Sequence, residues 1–214
     1  MTNLAKLERE SLCETFVEVG PDAPTLCSPW TSADLAAHLV VRERRPDLAT
    51  GIWLPALAGR LESGMAEYAA KPWPELVELV RSGPPVWSPT QLAGVDDAVN
   101  FVEFFIHHED VLRGDGSAGP RRQLTGRQSK ALWKSLSRMG RLLFRRSPVG
   151  VVLTGPDGET IQAKGTTELG TVVLEGAASD LLLAAYGRRR VAALEVTGGH
   201  DAVAALWAAP LGLS

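Results

Sequence analysis

The sequence predicts an α+β protein, with a helical bundle in residues 1–147 and a small α/β domain in residues 148–214. Two observations support this fold class. Apolar residues recur at helical spacing through the first two thirds of the chain, whereas short β-type segments separated by Gly- and Pro-containing turns follow Pro148. The length of 214 residues allows one large domain or two small ones with room for a core.

The composition argues against several classes of protein. A net charge of −3 argues against a dedicated nucleic-acid-binding protein. The two cysteines, Cys13 and Cys27, form no CxxC pair, so neither a disulfide framework nor a Cys-rich zinc site is indicated, and a reducing cytoplasm fits best. The N-terminus has no hydrophobic signal core, and no apolar run approaches the roughly 20 residues that span a bilayer. We therefore expect a cytoplasmic protein without membrane or nucleic-acid partners, and the sequence leaves open whether it is a monomer or a homodimer.

The individual elements follow from periodicity and from their end signals. A first helix over residues 4–19 ends at Gly20 and carries an acidic face, formed by Glu8, Glu10, Glu14 and Glu18. Further helices are predicted at residues 31–45, 54–68, 74–81, 95–112 and 126–145. After Pro148 the pattern predicts a β-hairpin over 149–165, a strand over 171–176, a helix over 177–186, a strand over 193–197 and a helix over 201–209.

The helix over residues 31–45 contains a histidine on an apolar face. Thr31 and Asp34 have the spacing of a capping box, which places the start of the helix. In that register His38 lies on the same face as Leu35 and Leu39. A buried imidazole without a polar partner is costly, so His38 needs one.

The helix over residues 95–112 supplies candidate partners. Glu103 and His107 are four residues apart and therefore share one face, whereas His108 points about 100° away. Apolar residues lie on both sides of this helix, so we expect it to be buried on both sides and central in the bundle.

His38, Glu103 and His107 together form a candidate three-ligand metal site. Two core-facing helices of an antiparallel bundle can bring such residues together. Two neutral imidazoles and one carboxylate leave one position open for water or substrate, which is typical of a reactive site. Zn²⁺ suits this set, and nickel, cobalt or iron(II) would also fit. Asp110 or Asp34 would orient an imidazole from outside the ligand set.

Two alternatives stay open at this point. His38 and His107 could be ordinary core histidines paired with Glu103. His108 could be the true ligand in place of His107, although it lies on the Phe-rich side of the helix and has Phe104, not an acid, four residues earlier.

The segment WTSADLAAHL at residues 30–39 and the Glu-x-x-x-His pair at residues 103–107 resemble the DinB-like metal-binding superfamily. Within it, the chain is similar to the actinobacterial mycothiol-dependent maleylpyruvate isomerase type, and the segment EGAASDLLLAAYGRR from Glu175 is similar to part of that family's C-terminal domain. The resemblance implies an N-terminal four-helix bundle and a divalent metal held by His38, Glu103 and His107. It also implies mycothiol as the thiol cofactor, and it identifies no substrate.

Four other features have competing interpretations. The helix over 126–145 carries a basic stripe, formed by Arg127, Lys130, Lys134, Arg138, Arg141 and Arg145. We interpret this stripe as a solvated face or a partner of the acidic first helix. The alternative is a site for an anionic thiol cofactor or nucleic acid. Arg188 either caps helix carbonyl groups or binds a carboxylate across the domain interface, and it is retained as a candidate cofactor-binding residue. Cys27 is either a thiol ligand or a small buried residue before the cap. His200 is interpreted as an exposed helix-start residue.

These observations favour a metal- and thiol-dependent enzyme, an isomerase or an S-transferase, that acts on a small electrophilic substrate. A coordinated thiol loses its proton, and the thiolate would attack the substrate. The alternative is a non-catalytic metal-binding or stress-response module in which the metal is structural. A nucleic-acid-binding or regulator-binding protein that uses the basic helix is a third hypothesis.

Overall fold

The computed structural model describes residues 3–49, 58–85, 96–117 and 122–212, which form two compact units, Met1–Asp115 and Gly116–Ser214. The first unit is helical, and the second combines helices with a four-stranded sheet, which confirms the predicted fold class. The units divide after Asp115, whereas the sequence predicted a boundary after residue 147. The difference arises because the long helix that precedes the strands packs against the sheet of the second unit.

The helices of the first unit pack around α1 and α2. Within its described residues the unit contains α1 (Leu4–Val19), α2 (Ser32–Arg44), α3 (Pro46–Ala49), α4 (Ala58–Ala69), α5 (Trp73–Ser82) and α6 (Asp96–Leu112). Helix α1 packs against α5 and α6, and α2 packs against α3, α4 and α5. The predicted helix positions at Leu54, Leu57 and Val95 lie outside the described residues.

Local signals explain where the first two helices begin and end. The Asn3 side chain accepts a hydrogen bond from the Lys6 backbone N–H and caps α1, which ends at Gly20 with a φ of 79°. The predicted capping box is confirmed at α2, because the Thr31 side chain accepts from the backbone N–H of Asp34 and the Asp34 carboxylate accepts from that of Thr31.

Helix α6 is buried on both sides, as the sequence predicted. Phe101, Phe104, Phe105 and Ile106 are all at most 2% exposed. Among the described residues, no helix combines the length and the apolar character that crossing a membrane would require. Helix α6 packs against α1.

A short segment around Pro24 lies directly against the end of α6. The backbone N–H of Leu26 donates to the carbonyl oxygen of Asp110 at 3.0 Å. A Cβ atom added at Gly114 would overlap the carbonyl oxygen of Pro24. Gly114 is therefore required for this close approach of two backbone segments.

The second unit is a mixed sheet with helices. It comprises α7 (Gly126–Leu143), β1 (Gly150–Thr154), β2 (Thr160–Lys164), β3 (Thr171–Glu175), α8 (Ala178–Ala185), β4 (Glu195–Thr197) and α9 (His200–Ala208). The strand order is β2-β1-β3-β4, with β1 antiparallel to β2, parallel to β3, and β3 antiparallel to β4. Helix α7 packs against β2 and α8 and buries Leu132, Leu136 and Leu143. The predicted hairpin and the strands and helices after it are confirmed.

Candidate metal centre

The structure brings the three predicted ligands together in the first unit. His38 projects from α2, and Glu103 and His107 project from α6. One ligand atom of each residue lies within 4.8 Å of the other two. Glu103 Oε1 is 3.6 Å from His38 Nε2 and 3.3 Å from His107 Nε2, so the carboxylate stands between the two imidazoles.

These separations are longer than short hydrogen bonds and are compatible with three ligands around one ion. Hydrogen bonds from an imidazole to a carboxylate are expected at about 2.7–2.9 Å. Ligands bound to one tetrahedral ion at about 2.0–2.2 Å are separated by roughly 3.3–3.6 Å, the edge of the tetrahedron. The two distances at Glu103 match that edge. The donor set of two nitrogens and one oxygen also suits a divalent ion.

The cluster is buried around the histidines and reaches solvent at the carboxylate. His38 is 8% exposed and His107 9%, whereas the side chain of Glu103 is 22% exposed. The ring of Trp30 lies 5.2 Å from that of His38, and the His38 and His107 rings are 5.3 Å apart, measured between centroids. Trp30 thus shields one side of the site from water.

Asp110 holds the imidazole of His107 in place. This carboxylate is fully buried, and its Oδ2 atom lies 2.9 Å from Nδ1 of His107. An ionised carboxylate can only accept hydrogen bonds, so Nδ1 of His107 carries the proton and Nε2 of His107 faces Glu103. Of the two carboxylates considered from the sequence, Asp110 contacts the ring, whereas Asp34 is engaged in the capping box of α2.

Cys27 also contacts Asp110. Its Sγ atom donates to Oδ2 of Asp110 at 3.1 Å, the same oxygen that accepts from His107. Cys27, His107 and Asp110 therefore form a second group that could hold a metal ion, with the three ligand atoms within 4.8 Å of one another. The sequence shows no signal for this contact, because Cys27 lies in a loop and Asp110 is 83 residues further along the chain.

The pKa values of the three residues follow from burial and from their neighbours. Burial alone would raise the pKa of Glu103, but the imidazoles of His107 and His38 and the charge of Arg42 hold it well below its usual value. Burial opposes protonation of His107, yet its contacts with Asp110, Cys27 and Glu103 raise its pKa well above the usual value. Burial lowers the pKa of His38, so this ring favours the neutral form that binds metal.

Arg42 borders the site, although no role there was predicted for it from the sequence. The Nε atom of Arg42 lies 3.4 Å from Oε1 of Glu103, and its Nη1 donates to Oδ1 of the buried Asn100 at 2.9 Å. Arg42 follows His38 by four residues and so shares its face, which was the available signal. Nδ1 of His38 has no hydrogen-bond partner among the described residues.

His108 belongs to a separate network on the other side of α6. Its Nδ1 lies 2.8 Å from Oε1 of Glu8, and its Nε2 lies 2.8 Å from Oγ1 of Thr15. His108 is therefore engaged with α1 and is not part of the cluster around Glu103. Glu8, which belongs to the acidic face of α1, is only 2% exposed.

The remaining candidates lie in the second unit. Nη1 of Arg188 donates to the carbonyl oxygen of Tyr186 at 2.6 Å, a contact that agrees with the interpretation of Arg188 as a helix cap. The role of Arg188 in cofactor binding stays a prediction. His200 is exposed at the first position of α9, as interpreted from the sequence. The six side chains of the basic stripe are all exposed; five of them lie on α7 and Arg145 lies just beyond its end.

Comparisons with known proteins support the fold. No family model matches the chain, and no curated protein matches it in sequence. Two crystal structures of mycothiol-dependent maleylpyruvate isomerase, one of them a histidine-to-alanine variant, superpose with TM-scores of 0.60 and 0.62 at 14% sequence identity. In each case 91% of this chain and 90% of the other are covered. The chain thus shares the fold of these two structures, a helical domain followed by a small α/β domain, and at this identity the likeness concerns the fold alone.

Proposed function

We propose that the chain binds a divalent metal ion through His38, Glu103 and His107 and is a thiol-dependent enzyme, an isomerase or an S-transferase. The observation that carries the proposal is the convergence of two imidazole nitrogens and one carboxylate oxygen beside a partly exposed Glu103. The shared fold with a mycothiol-dependent isomerase supports mycothiol as the cofactor and a small electrophilic molecule as the substrate. Zn²⁺ is the proposed ion, with nickel, cobalt and iron(II) as alternatives.

Each residue of the cluster would have a distinct role in holding the metal ion. His38 and His107 supply neutral nitrogens, and Asp110 holds the His107 proton on Nδ1, so that Nε2 is free to ligate. Glu103 supplies a carboxylate that stays ionised at neutral pH, because the histidines and Arg42 keep its pKa low. Trp30 shields His38. A divalent ion bound here would polarise a coordinated thiol and favour its thiolate form.

A second candidate function is a non-catalytic module with a structural metal. The burial of both histidines, each less than a tenth exposed, favours this alternative. The partial exposure of Glu103 favours the enzyme, since a reactive site needs access for a thiol and a substrate.

The first experiment measures metal content in the purified protein and in matched variants. We expect about one divalent ion per chain in the wild type and a loss of metal in His38→Ala and Glu103→Ala. His200→Ala is the control, because this histidine is exposed and lies in the second unit. Undiminished metal in both ligand variants would refute the site.

A second experiment separates the enzyme from the module. The protein is loaded with Co²⁺ and titrated with N-acetylcysteine as a small thiol probe, while the visible and near-ultraviolet spectrum is recorded. An accessible coordination position is expected to produce a thiolate-to-cobalt charge-transfer band that depends on thiol concentration. A spectrum that does not respond to the thiol would favour the structural metal.

A further inference from the structure

A cavity of about 340 Å³ lies in the second unit, between the end of α7 and the edge strand β2. Its volume is at the lower end of the range for small-molecule pockets, about 300–1,000 Å³. All of its lining residues belong to the second unit, whereas the candidate metal centre lies in the first. Among the described residues, the cavity is lined by Arg141, Arg145, Gln162, Ala163, Lys164 and Gly165.

The lining is positively charged and lacks a local counter-charge. Three of these six residues are cationic and none is acidic. No acidic residue occurs in the sequence between Asp115 and Asp157, a stretch that includes the whole of α7. Arg141 is exposed in the last turn of α7, and its guanidinium has no ion-pair partner in the part of the chain that the structure describes. A concave surface lined by charges of one sign attracts an ion of the opposite sign.

Backbone contacts hold the other two cations beside the cavity. Nζ of Lys164 donates to the carbonyl oxygen of Arg145 at 2.8 Å. Nη1 of Arg145 donates to the carbonyl oxygens of Leu142 at 3.2 Å and Gly212 at 3.4 Å. These contacts leave two N–H donors on Lys164, and Nε and Nη2 on Arg145, for a ligand. Capping of the end of α7 therefore uses only part of the donors of Arg145 and Lys164, and it does not account for Arg141.

A bulge in β2 brings consecutive residues to the cavity. Lys164 pairs with Val151 and Gln162 pairs with Val152, so Ala163 is an extra residue on β2. Successive side chains of a regular strand point to opposite faces, and a bulge changes their direction locally. The bulge thus coincides with the place where Gln162 and Lys164 both reach the cavity, and Gln162 adds an amide donor to the three cations.

We propose that this cavity binds a small molecule that carries a phosphate group. Arginine binds phosphate through paired N–H donors, and lysine binds it as a point charge. Three cations from α7, its C-terminal end and β2 match the several oxygens of a phosphate dianion, whereas a single guanidinium fork suffices for a carboxylate. The described lining contains no aromatic side chain on which a nucleobase could stack, which favours a small molecule over nucleic acid. The proposal does not depend on the metal centre.

The test measures the binding of glycerol 3-phosphate and of inorganic phosphate to the full chain by isothermal titration at constant ionic strength. We expect one saturable site per chain, with tighter binding of glycerol 3-phosphate because the cavity has room for more than the phosphate group. The absence of saturable binding for both probes would overturn the site. Equal or tighter binding of inorganic phosphate would overturn the assignment to a phosphorylated small molecule.

Matched variants locate the binding in the cavity. Arg141→Gln and Lys164→Gln each remove one cation from the lining and should weaken glycerol 3-phosphate binding at least about tenfold, in line with the loss of a charged hydrogen bond. Lys134→Gln is the control, because it removes the same charge from an exposed position of α7 that lies seven residues, or about 10 Å, from Arg141. The control should change the affinity by no more than about twofold. Equal losses in all three variants would show a general attraction to the basic surface and would overturn the cavity site.

A fluorescent single-stranded DNA of about 12 nucleotides tests the competing ligand class. We expect this DNA not to displace glycerol 3-phosphate. DNA that displaces glycerol 3-phosphate, and whose binding Lys134→Gln and Arg141→Gln weaken equally, would assign the whole basic stripe to nucleic acid and overturn the proposal. Unchanged thermal unfolding of Arg141→Gln checks that its loss of binding is not a loss of fold.

Discussion

Two adjacent histidines on α6 have opposite roles. His107 faces α2, where one ring nitrogen is hydrogen-bonded to Asp110 and the other faces Glu103 at 3.3 Å. His108 faces α1, where both ring nitrogens have partners at hydrogen-bond distance, Glu8 and Thr15, each at 2.8 Å. Both residues are nearly inaccessible, so burial does not distinguish them.

The difference lies in whether the second nitrogen is already engaged. Both ring nitrogens of His108 have partners at hydrogen-bond distance, and these contacts join α1 to α6. His107 keeps one nitrogen directed at a carboxylate and near a second imidazole, too far for short hydrogen bonds and at a spacing that an ion would fill. His107 is therefore the histidine that we propose as a ligand, because Asp110 holds one nitrogen and the other converges with the ligand atoms of Glu103 and His38.

Removing His108 should have the largest effect, and the effect should fall on stability. His108→Ala leaves the Glu8 carboxylate buried without its imidazole partner, and the loss of one member of a buried pair costs roughly 3–5 kcal/mol. We expect a decrease of this size in the free energy of unfolding, measured by urea denaturation. The folded variant should still bind metal, and a folded variant without metal would contradict the separation of the two networks.

Removing His107 should affect metal binding in addition to stability, because Asp110 also loses its imidazole partner. His107→Ala takes away one of three ligands, so the affinity for Zn²⁺ should fall at least about 100-fold, or roughly 2.7 kcal/mol, when measured by chelator competition. The metal-free variant should lose less stability than His108→Ala. The comparison fails if the two alanine variants show the same pattern.

Weakening the support of His107 should have an intermediate effect. Asp110→Asn removes the charge that holds the Nδ1 proton, so metal affinity should fall about 10- to 100-fold. Asp34→Asn is the matched control, because this carboxylate caps α2 and does not touch the cluster. The control should leave metal affinity unchanged, and equal losses in both variants would indicate an indirect effect of charge.

The pH dependence should follow the proton that a metal ion displaces from His107. In the metal-free protein the pKa of His107 is raised above 6.5, so a proton on Nε2 competes with metal below that pKa. Metal affinity should therefore rise about tenfold per pH unit up to the raised pKa and level off above it. The stabilisation of the metal-free fold by protonated His107 has the opposite sign and is lost as pH rises through the same pKa. Affinity that is flat between pH 6 and 8 would contradict a displaced proton.

Removing the charge of Arg42 should have the smallest effect. Its guanidinium lies 3.4 Å from the Glu103 carboxylate and repels a cation bound there. Arg42→Gln should tighten metal binding by up to about fivefold, in line with roughly 0.2–1 kcal/mol for a partly exposed ion pair. Isothermal titration can resolve the sign, and weaker binding would mean that Arg42 mainly positions Glu103.

The sequence predicted those parts of the site that depend on helical periodicity. The shared face of Glu103 and His107 follows from their spacing, and the capping box sets the register in which His38 faces inward. The contact between Cys27 and Asp110 could not be predicted in the same way, because it depends on the path of an irregular loop.

Two other features of the fold depend on packing that the local sequence pattern does not show. Glu8 follows the acidic periodicity of α1, but a polar partner on another helix draws it into the interior. The change from helices to strands lies near residue 147, whereas the compact units divide after Asp115, since α7 packs on β2 and α8. Element type was predictable, and the packing partner of an element was not.

The absence of a side chain at Gly114 has a consequence for transplanting or redesigning this site. A Cβ there would overlap the Pro24 carbonyl group, and a displaced Pro24 segment would carry Leu26 and Cys27 away from Asp110. A design that copies only the three ligands onto another bundle would omit this anchored loop. A mutational screen should likewise score position 114 as intolerant, although it contacts no ligand.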